Sequence, residues 1–273
     1  MSKTTNNDSA NYPKWSDLLK DAVNKPGTIS KAFSQFHRYS IGNQLLAMWQ
    51  CAWREITPGP IGTYTTWQKL GRQVKKGQRA IVLCMPITFK KAIKVKDEDG
   101  NEHDDEAVIS TFVYRPYWFV MSQTDGDDLT FAPIPGWDRD RALAALGIEI
   151  VDFDMTNGNI LGYAKEHAVA ISPLAPHPEN VLFHEIGHIE LGHTSANLDQ
   201  AQSRNEIEME AESVNLILSE SLGIGDPAES RGYIQNWFGK GNPISEKNAR
   251  RIFSAVDKIL AAGREKELEH ENA

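Results

Sequence analysis

The sequence predicts an α+β protein of two domains. An N-terminal α+β domain is expected over residues 1–130, and a mostly helical C-terminal domain with a small sheet over 137–273. Three observations point there. Two β-rich apolar runs lie close together in the first half, helical patterns dominate the second, and Phe131-Ala-Pro-Ile-Pro-Gly-Trp137 interrupts any regular element between them. With 273 residues, 40% hydrophobic and 24% charged, the chain can bury a core, which excludes wholesale disorder and fibrous repeats.

The elements follow in order. Behind a polar tail, Trp15 to Val23 reads as a helix, and a Gly- and Ser-punctuated stretch leads to a second helix, Ile41 to Trp53. Pro58, Gly59, Pro60 and Gly62 break the chain before a short helical segment, Tyr64 to Leu70. The run from Arg79 to Phe89 reads as a buried strand, with 107–121 as its antiparallel partner. Between them, Asp97 to Asn101 and Asp104 to Glu106 form an acidic turn that self-repulsion keeps solvated. Past the linker come a helix over 138–146, strands at Ile148 to Phe153 and Ala168 to Ser172, and helices near 178–193, 204–222, 229–238 and 244–262.

No apolar run approaches the roughly 20 residues that span a bilayer, so no membrane partner is expected. The polar start from Met1 to Asn11 lacks the apolar core of a signal peptide, and two cysteines cannot build a disulfide framework. A cytoplasmic protein is the simplest expectation.

Charge divides the chain. Residues 1–96 carry 16 Lys and Arg against 4 Asp and Glu, a balance of +12, whereas residues 97–273 carry 13 against 33, a balance of −20. A cationic first part suits a polyanion. Its cations are mixed with aromatic rings, a combination that fits single-stranded nucleic acid, whose bases are free to stack, with little sequence preference. The residues assigned to that interface are Arg38, Tyr39, Asn43, Trp67, Lys69, Arg72, Lys75, Lys76 and Arg79, with Gly71 and Gly77 bracketing the densest cluster.

The acidic part carries His184-Glu185-Ile186-Gly187-His188 within one expected helix. Residues four apart share a helix face, so the two imidazoles can meet one zinc ion. Glu185 is turned partly aside, where it can take a proton from a water that the ion activates. A third ligand is still needed. His193 follows His188 by five residues where a ligand His would need six, so it is set aside as a ligand and left as a helix cap or an outer contact. The next helix offers Glu206, Glu208, Glu210 and Glu212, of which Glu208 and Glu212 stack on one face. Glu208 is assigned to the metal and Glu212 to an outer contact with a ligand imidazole, with the reverse as the alternative. Peptide hydrolysis is the reaction such a site suits, and the strand at 167–172 is expected to hold an extended substrate.

The linked motifs Phe36-His-Arg-Tyr-Ser-x-x-Asn43-Gln-Leu-Leu, Thr66-Trp67-x-x-Leu70-Gly-Arg-x-Val-Lys-Lys-Gly77, Ser122-Gln-Thr-Asp-Gly126, Leu182-Phe-His-Glu-Ile-Gly-His188 and Glu208-x-x-Ala-Glu212 resemble the ArdC-like antirestriction proteins over roughly residues 12–222. The resemblance implies a single-stranded-DNA-binding domain followed by a zincin-like metallopeptidase domain, carried on plasmids and other mobile elements. The C-terminal part also looks like the ImmA/IrrE type of metallopeptidase, which favours Glu208 as ligand. That likeness implies an alternative role, cleavage of a DNA-associated regulatory protein with the DNA-binding domain used for targeting. Residues 154–180 carry no distinctive match, so no substrate contacts are carried over.

Overall fold

The computed structural model describes residues 12–96, 102–195 and 202–265, with the backbone alone described at 93, 95, 96 and 102–105. The expected polar tail and residues 97–101 of the acidic turn lie outside the described residues. The chain is α+β and divides into two compact units, Met1–Tyr12 with Gln50–Leu129, and Pro13–Trp49 with Thr130–Ala273. The division at Leu129 falls beside the linker. The segment Pro13–Trp49, however, is grouped with the C-terminal part rather than with the N-terminal domain in which the sequence reading put it.

In the first unit β1 (Ile61–Thr63), β4 (Glu102–Val120) and β3 (Ile81–Lys96) form an antiparallel sheet of order β1-β4-β3. The β3–β4 hairpin is the strand pair read from the sequence, and it is longer than expected at both strands. At the Ile81/Val82 bulge the ladder is irregular, and the Gln50 side chain takes over its hydrogen bonding. Its amide N–H donates to the Val82 carbonyl (2.7 Å) and its Oε1 accepts from the Val82 N–H (2.9 Å), so no buried backbone group is orphaned there. Helix α4 (Tyr64–Lys69) sits beside β1 and beside a second pair, β2 (Arg72–Val74) with β5 (Thr124–Gly126), neither strand of which was expected.

In the second unit the N-terminal segment supplies α1 (Trp15–Asn24), α2 (Thr28–Phe36) and most of α3 (Ile41–Trp53). Helix α2 was not expected, yet Ile29, Ala32, Phe33 and Phe36 are buried at helical spacing. The remainder comprises α5 (Arg139–Leu146), a sheet of β6 (Glu149–Val151), β8 (Ala168–Ile171) and β7 (Gly162–Lys165), and helices α6 (Pro178–Glu190), α7 (Arg204–Leu222), α8 (Ala228–Gly239) and α9 (Glu246–Gly263). Helix α7 runs through the core, with Met209, Ala211, Val214, Leu216 and Ile217 fully buried. Polar ties join the N-terminal helices to α8, α9 and the residue after it. Arg231 donates to the carbonyls of Ala22 and Val23 at the end of α1 while pairing with Glu220. Asp257 accepts from the Ile41 N–H (2.7 Å), and Arg264 donates to the His37 carbonyl (2.9 Å). Among the described residues no helix is long and apolar enough to cross a membrane.

Candidate metal centre

Helix α6 starts with Pro178 at its first turn, where a missing N–H costs nothing, and ends in a turn at Gly192 whose φ is +75°. The helix is therefore shorter than the 178–193 expected, and His193 lies beyond it. Helix α7 starts at Ser203. The Ser203 hydroxyl accepts from the Glu206 N–H and the Glu206 carboxylate accepts from the Ser203 N–H, a reciprocal cap.

The two helices approach closely because position 187 has no side chain. A Cβ there would meet Val214 Cβ at 3.3 Å and Ala211 Cα at 3.5 Å. Glycine at the fourth place of the motif thus lets α7 lie against the ligand face of α6.

That approach brings His184, His188 and Glu208 together. The Nε2 atoms of His184 and His188 are 3.0 Å apart, and Glu208 Oε2 lies 3.4 Å from the first and 3.7 Å from the second. A tetrahedral ion with bonds of about 2.0–2.2 Å sets its ligand atoms roughly 3.3–3.6 Å apart. The three separations straddle that range, so the donor set fits a divalent cation, and two imidazoles with one carboxylate suit zinc among the borderline metals. Glu212 Oε1 lies 3.2 Å from His184 Nδ1 as an ion-pair contact rather than a well-aligned hydrogen bond. Of the two assignments for Glu208 and Glu212, the distances match Glu208 at the ligand atoms and Glu212 behind them.

The electrostatics are those of a cation site. Burial alone would lower the His184 pKa, but its contacts with Glu208 and Glu212 raise it to about 10. Its contacts with His184 and His188 hold the Glu208 carboxyl well below the usual carboxylate range. Burial pushes the Glu185 carboxyl up, against the pull of the two imidazoles. The Ala164 backbone on β7 also opposes that rise.

A cleft of about 670 Å³ opens on these residues, with Ile160 to Ala164, Asn180, Val181 and Ser230 among its lining. Strand β7 reaches this position because residue 162 is glycine. A Cβ there would fall 2.3 Å from Val181 Cγ1 and 3.4 Å from Glu185 Oε1. Strand β8, expected to take an extended substrate, is the central strand, parallel to β6 and antiparallel to β7. Both of its edges are occupied, so it cannot add another strand. The edge beside the cleft belongs to β7, a strand the sequence reading did not expect.

The residues assigned to a nucleic-acid interface fall in both units and differ in exposure. Trp67 is 1% exposed and its indole N–H donates to the Phe119 carbonyl (2.9 Å). Arg72 is 8% exposed. Its guanidinium donates to Thr124 Oγ1 (2.8 Å) and to the carbonyls of Thr124 (3.0 Å), Gly126 (3.0 Å) and Asp127. These two side chains face the interior of the first unit, because β5, some 50 residues downstream, supplies partners that local sequence does not reveal. Lys75 is half-buried, pairing with Asp125 (3.3 Å) and donating to the Ser122 carbonyl (3.1 Å). Lys69, Lys76 and Arg79 are exposed in the first unit. In the second unit Arg38 is exposed, and Tyr39 and Asn43 are half-buried. Gly71 and Gly77 both adopt positive φ, +72° and +85°, so backbone conformation requires them.

Beyond the assigned residues, the reading missed the polar groups that stand behind the cluster. The Asn180 amide N–H donates to Asn215 Oδ1 (3.1 Å), and the Asn215 amide N–H donates to Ser230 Oγ (2.8 Å). Glu210 and Arg251 belong to a further buried group. None of these carries a spacing signal, since each partner lies on another helix.

Residues 14–118 match the N-terminal domain of anti-restriction factor ArdC. The uncharacterized protein y4eC of Sinorhizobium fredii (strain NBRC 101917 / NGR234) is 25% identical over 238 residues, which cover 80% of this chain and 74% of that protein. The metal-free crystal structure of the antirestriction ArdC protein from plasmid R388 is 20% identical, with a TM-score of 0.47 over 91% of this chain and 94% of that one. Its Mn(II)-bound structure is also 20% identical, with a TM-score of 0.49 over 92% and 96%. Residues 14–118, less than half of the chain, are therefore similar to the N-terminal domain of the anti-restriction factor ArdC.

Proposed function

We propose that this chain is an antirestriction protein that binds single-stranded DNA and carries a zinc-dependent, zincin-type metallopeptidase centre. The observation that carries the second part is the convergence of His184 Nε2, His188 Nε2 and Glu208 Oε2 within 3.0–3.7 Å of one another, with Glu185 beside them. A bound zinc ion supplies a Lewis acid that polarises a carbonyl and acidifies water. His184, His188 and Glu208 hold it, and Glu212 orients the His184 ring. Glu185, buried and with its pKa raised, is suited to accept a proton and pass it to the leaving amine. An extended peptide is held along the outer edge of β7, beside Glu185. A purely structural ion would need no Glu185, which favours a hydrolytic role over a scaffold one. It also keeps open the reading in which a DNA-associated regulatory protein is the substrate.

For DNA the candidates narrow to side chains that solvent reaches, Lys69, Lys76 and Arg79 in the first unit and Arg38 in the second, with Tyr39 and Asn43 partly accessible. The net charge of residues 1–96 supports a polyanion partner.

Glu185→Gln tests the enzymatic part. The variant is expected to retain zinc by metal analysis and to lose proteolysis, read by comparing cellular proteomes with and without active protein. Loss of the metal, or full turnover without Glu185, would overturn the assigned role. Binding titrated against salt tests the DNA part. Single strands should bind more tightly than duplex, with affinity falling steeply as salt rises, and neutralising Lys76 and Arg79 should flatten that slope. An unchanged slope removes those two residues from the interface.

A further inference from the structure

We propose that His193 is a positioning residue for the metal ligand His188. It acts as a buried imidazole relay that ties Nδ1 of His188 to the carboxylate of Glu210 and fixes the tautomer in which His188 offers Nε2 to a divalent ion. The proposal rests on the metal-centre reading above and adds residues that neither the ligand motif nor its spacing contains.

The two ligand imidazoles are supported differently. His184 meets a carboxylate directly, with Glu212 Oε1 3.2 Å from its Nδ1. His188 has no carboxylate there; its Nδ1 lies 3.0 Å from His193 Nδ1. His193 Nε2 in turn lies 2.9 Å from Glu210 Oε2, and these two side chains are 2% and 0% exposed. Glu210 is also met by Arg251 Nη1 (3.3 Å) and by the amide of Gln202 (3.1 Å). Arg251 donates besides to the Leu191 carbonyl (2.6 Å), which pins the turn that carries His193.

Proton placement along this chain follows from the chemistry of each atom. Two imidazole nitrogens 3.0 Å apart share one proton. A His188 whose Nε2 lone pair points at an ion carries its proton on Nδ1 and donates it to His193 Nδ1. A neutral His193 then carries its own proton on Nε2, where it is donated to the Glu210 carboxylate. The opposite polarity would set a bare Nε2 lone pair against an anionic carboxylate at 2.9 Å, two acceptors facing each other without water. The Glu210 carboxylate, which Arg251 and Gln202 also meet, therefore selects the direction of the whole relay and leaves Nε2 of His188 free to ligate.

The backbone explains why His193 stands there. Gly192, with φ +75°, ends α6, and the His193 N–H folds back onto the His188 carbonyl (2.8 Å). The five-residue spacing that rules His193 out as a ligand brings its ring behind the ligand instead.

Zinc affinity by chelator competition on the full chain tests this, with two substitutions. His193→Phe keeps an aromatic ring in place and removes both nitrogens. It should bind zinc about 10–100-fold more weakly. His193→Gln offers a carbonyl oxygen to the His188 N–H and an amide N–H to Glu210, and should stay within a few-fold of wild type. Unchanged affinity in His193→Phe, or equal losses in both variants, would overturn the relay. If His193→Phe does not fold, as judged by circular dichroism, ¹⁵N histidine spectra of the zinc-loaded wild type decide. The relay requires Nε2–H on His193 and Nδ1–H on His188, and Nδ1–H on His193 refutes it. A wild type that binds no zinc at all brings down the metal centre itself, a result separable from normal wild-type binding with an indifferent residue 193.

Discussion

Two short stretches of this chain concentrate like charge, and the structure treats them in opposite ways. In Glu206 to Glu212 four carboxylates alternate along one helix, and each finds its own partner. Glu206 caps α7, Glu208 joins the two imidazoles, Glu210 is buried against His193 and Arg251, and Glu212 faces His184. In Arg72 to Arg79 four cations sit on a short strand and a turn, and they separate. Arg72 is buried, Lys75 is half-buried, and Lys76 and Arg79 stay in solvent. A helix of known period converts spacing into facing, so side-chain direction can be read four residues at a time. A strand three residues long converts nothing until its partner is known. Here that partner is β5, whose Thr124 and Gly126 take the Arg72 guanidinium.

The largest effect expected from this contrast is in the acidic stretch. Glu208→Ala removes one of three ligand atoms and should weaken zinc binding by at least about 100-fold, more than loss of an outer partner does. Its stability without metal should fall as well, since contacts with His184 and His188 hold the Glu208 carboxyl below its usual range in the folded protein. Chelator competition beside thermal unfolding of the metal-free protein reads both. Wild-type affinity in Glu208→Ala would mean that the convergence of the three atoms does not make a site.

Next comes the basic stretch, where the effect moves from binding to stability. Arg72→Met removes a buried guanidinium that donates to Thr124 Oγ1 and to the carbonyls of Thr124, Gly126 and Asp127, and should cost roughly 3–5 kcal/mol. Lys76→Ala and Arg79→Ala should leave stability within about 0.5 kcal/mol while reducing the salt dependence of DNA binding. Denaturant titration separates the groups. An Arg72→Met protein as stable as wild type, with a flatter salt slope, would return Arg72 to the interface.

The same contrast explains what could be read in advance. That His184 faces with His188 and Glu208 with Glu212 could be read from spacing, because all four lie on helices. The pairing of β3 with β4 was also legible, from two apolar runs flanking an acidic turn. Helix α2 was hidden by Gly27, Ser30 and Ser34, although both serine hydroxyls simply fold back onto carbonyls of Gly27 and Lys31. The grouping of Pro13–Trp49 with the C-terminal part could not be read at all. Its ties, Arg231 to Ala22, Asp257 to Ile41 and Arg264 to His37, join residues more than 200 positions apart. The match to the ArdC N-terminal domain, residues 14–118, likewise runs across the division between the two compact units.

Asp257 sharpens the comparison from within the second unit, as a half-buried carboxylate that accepts from a backbone N–H. Burial raises its pKa from 3.8 to about 6, against the Ile41 hydrogen bond and the nearby Arg264. With the folded value above the unfolded one, the folded state holds the proton more tightly. Its contribution to stability is full below about pH 4 and is lost as pH rises through about 6. Asp257→Asn keeps an acceptor for the Ile41 N–H and removes the titration. The variant should exceed wild type by about 2–3 kcal/mol at pH 7.5, and the gap should close near pH 4. Stability curves that run parallel between those pH values would show that Asp257 titrates normally.

The smallest effect separates two carboxylates only two residues apart. Glu206 points away from the cluster that Glu208 joins, and its carboxylate accepts from both the N–H and the hydroxyl of Ser203 (2.9 Å each). Glu206→Ala removes half of the reciprocal cap while Ser203 Oγ still accepts from the N–H of residue 206, so the cost should be about 0.5–1 kcal/mol. Zinc affinity should not change, because capping is lost at the start of α7 while Met209 and Ala211, fully buried one turn on, hold the ligand-bearing segment in place. A Glu206→Ala variant that loses zinc as Glu208→Ala does would mean that the first turn of α7, rather than the facing of individual side chains, decides whether the three ligand atoms converge.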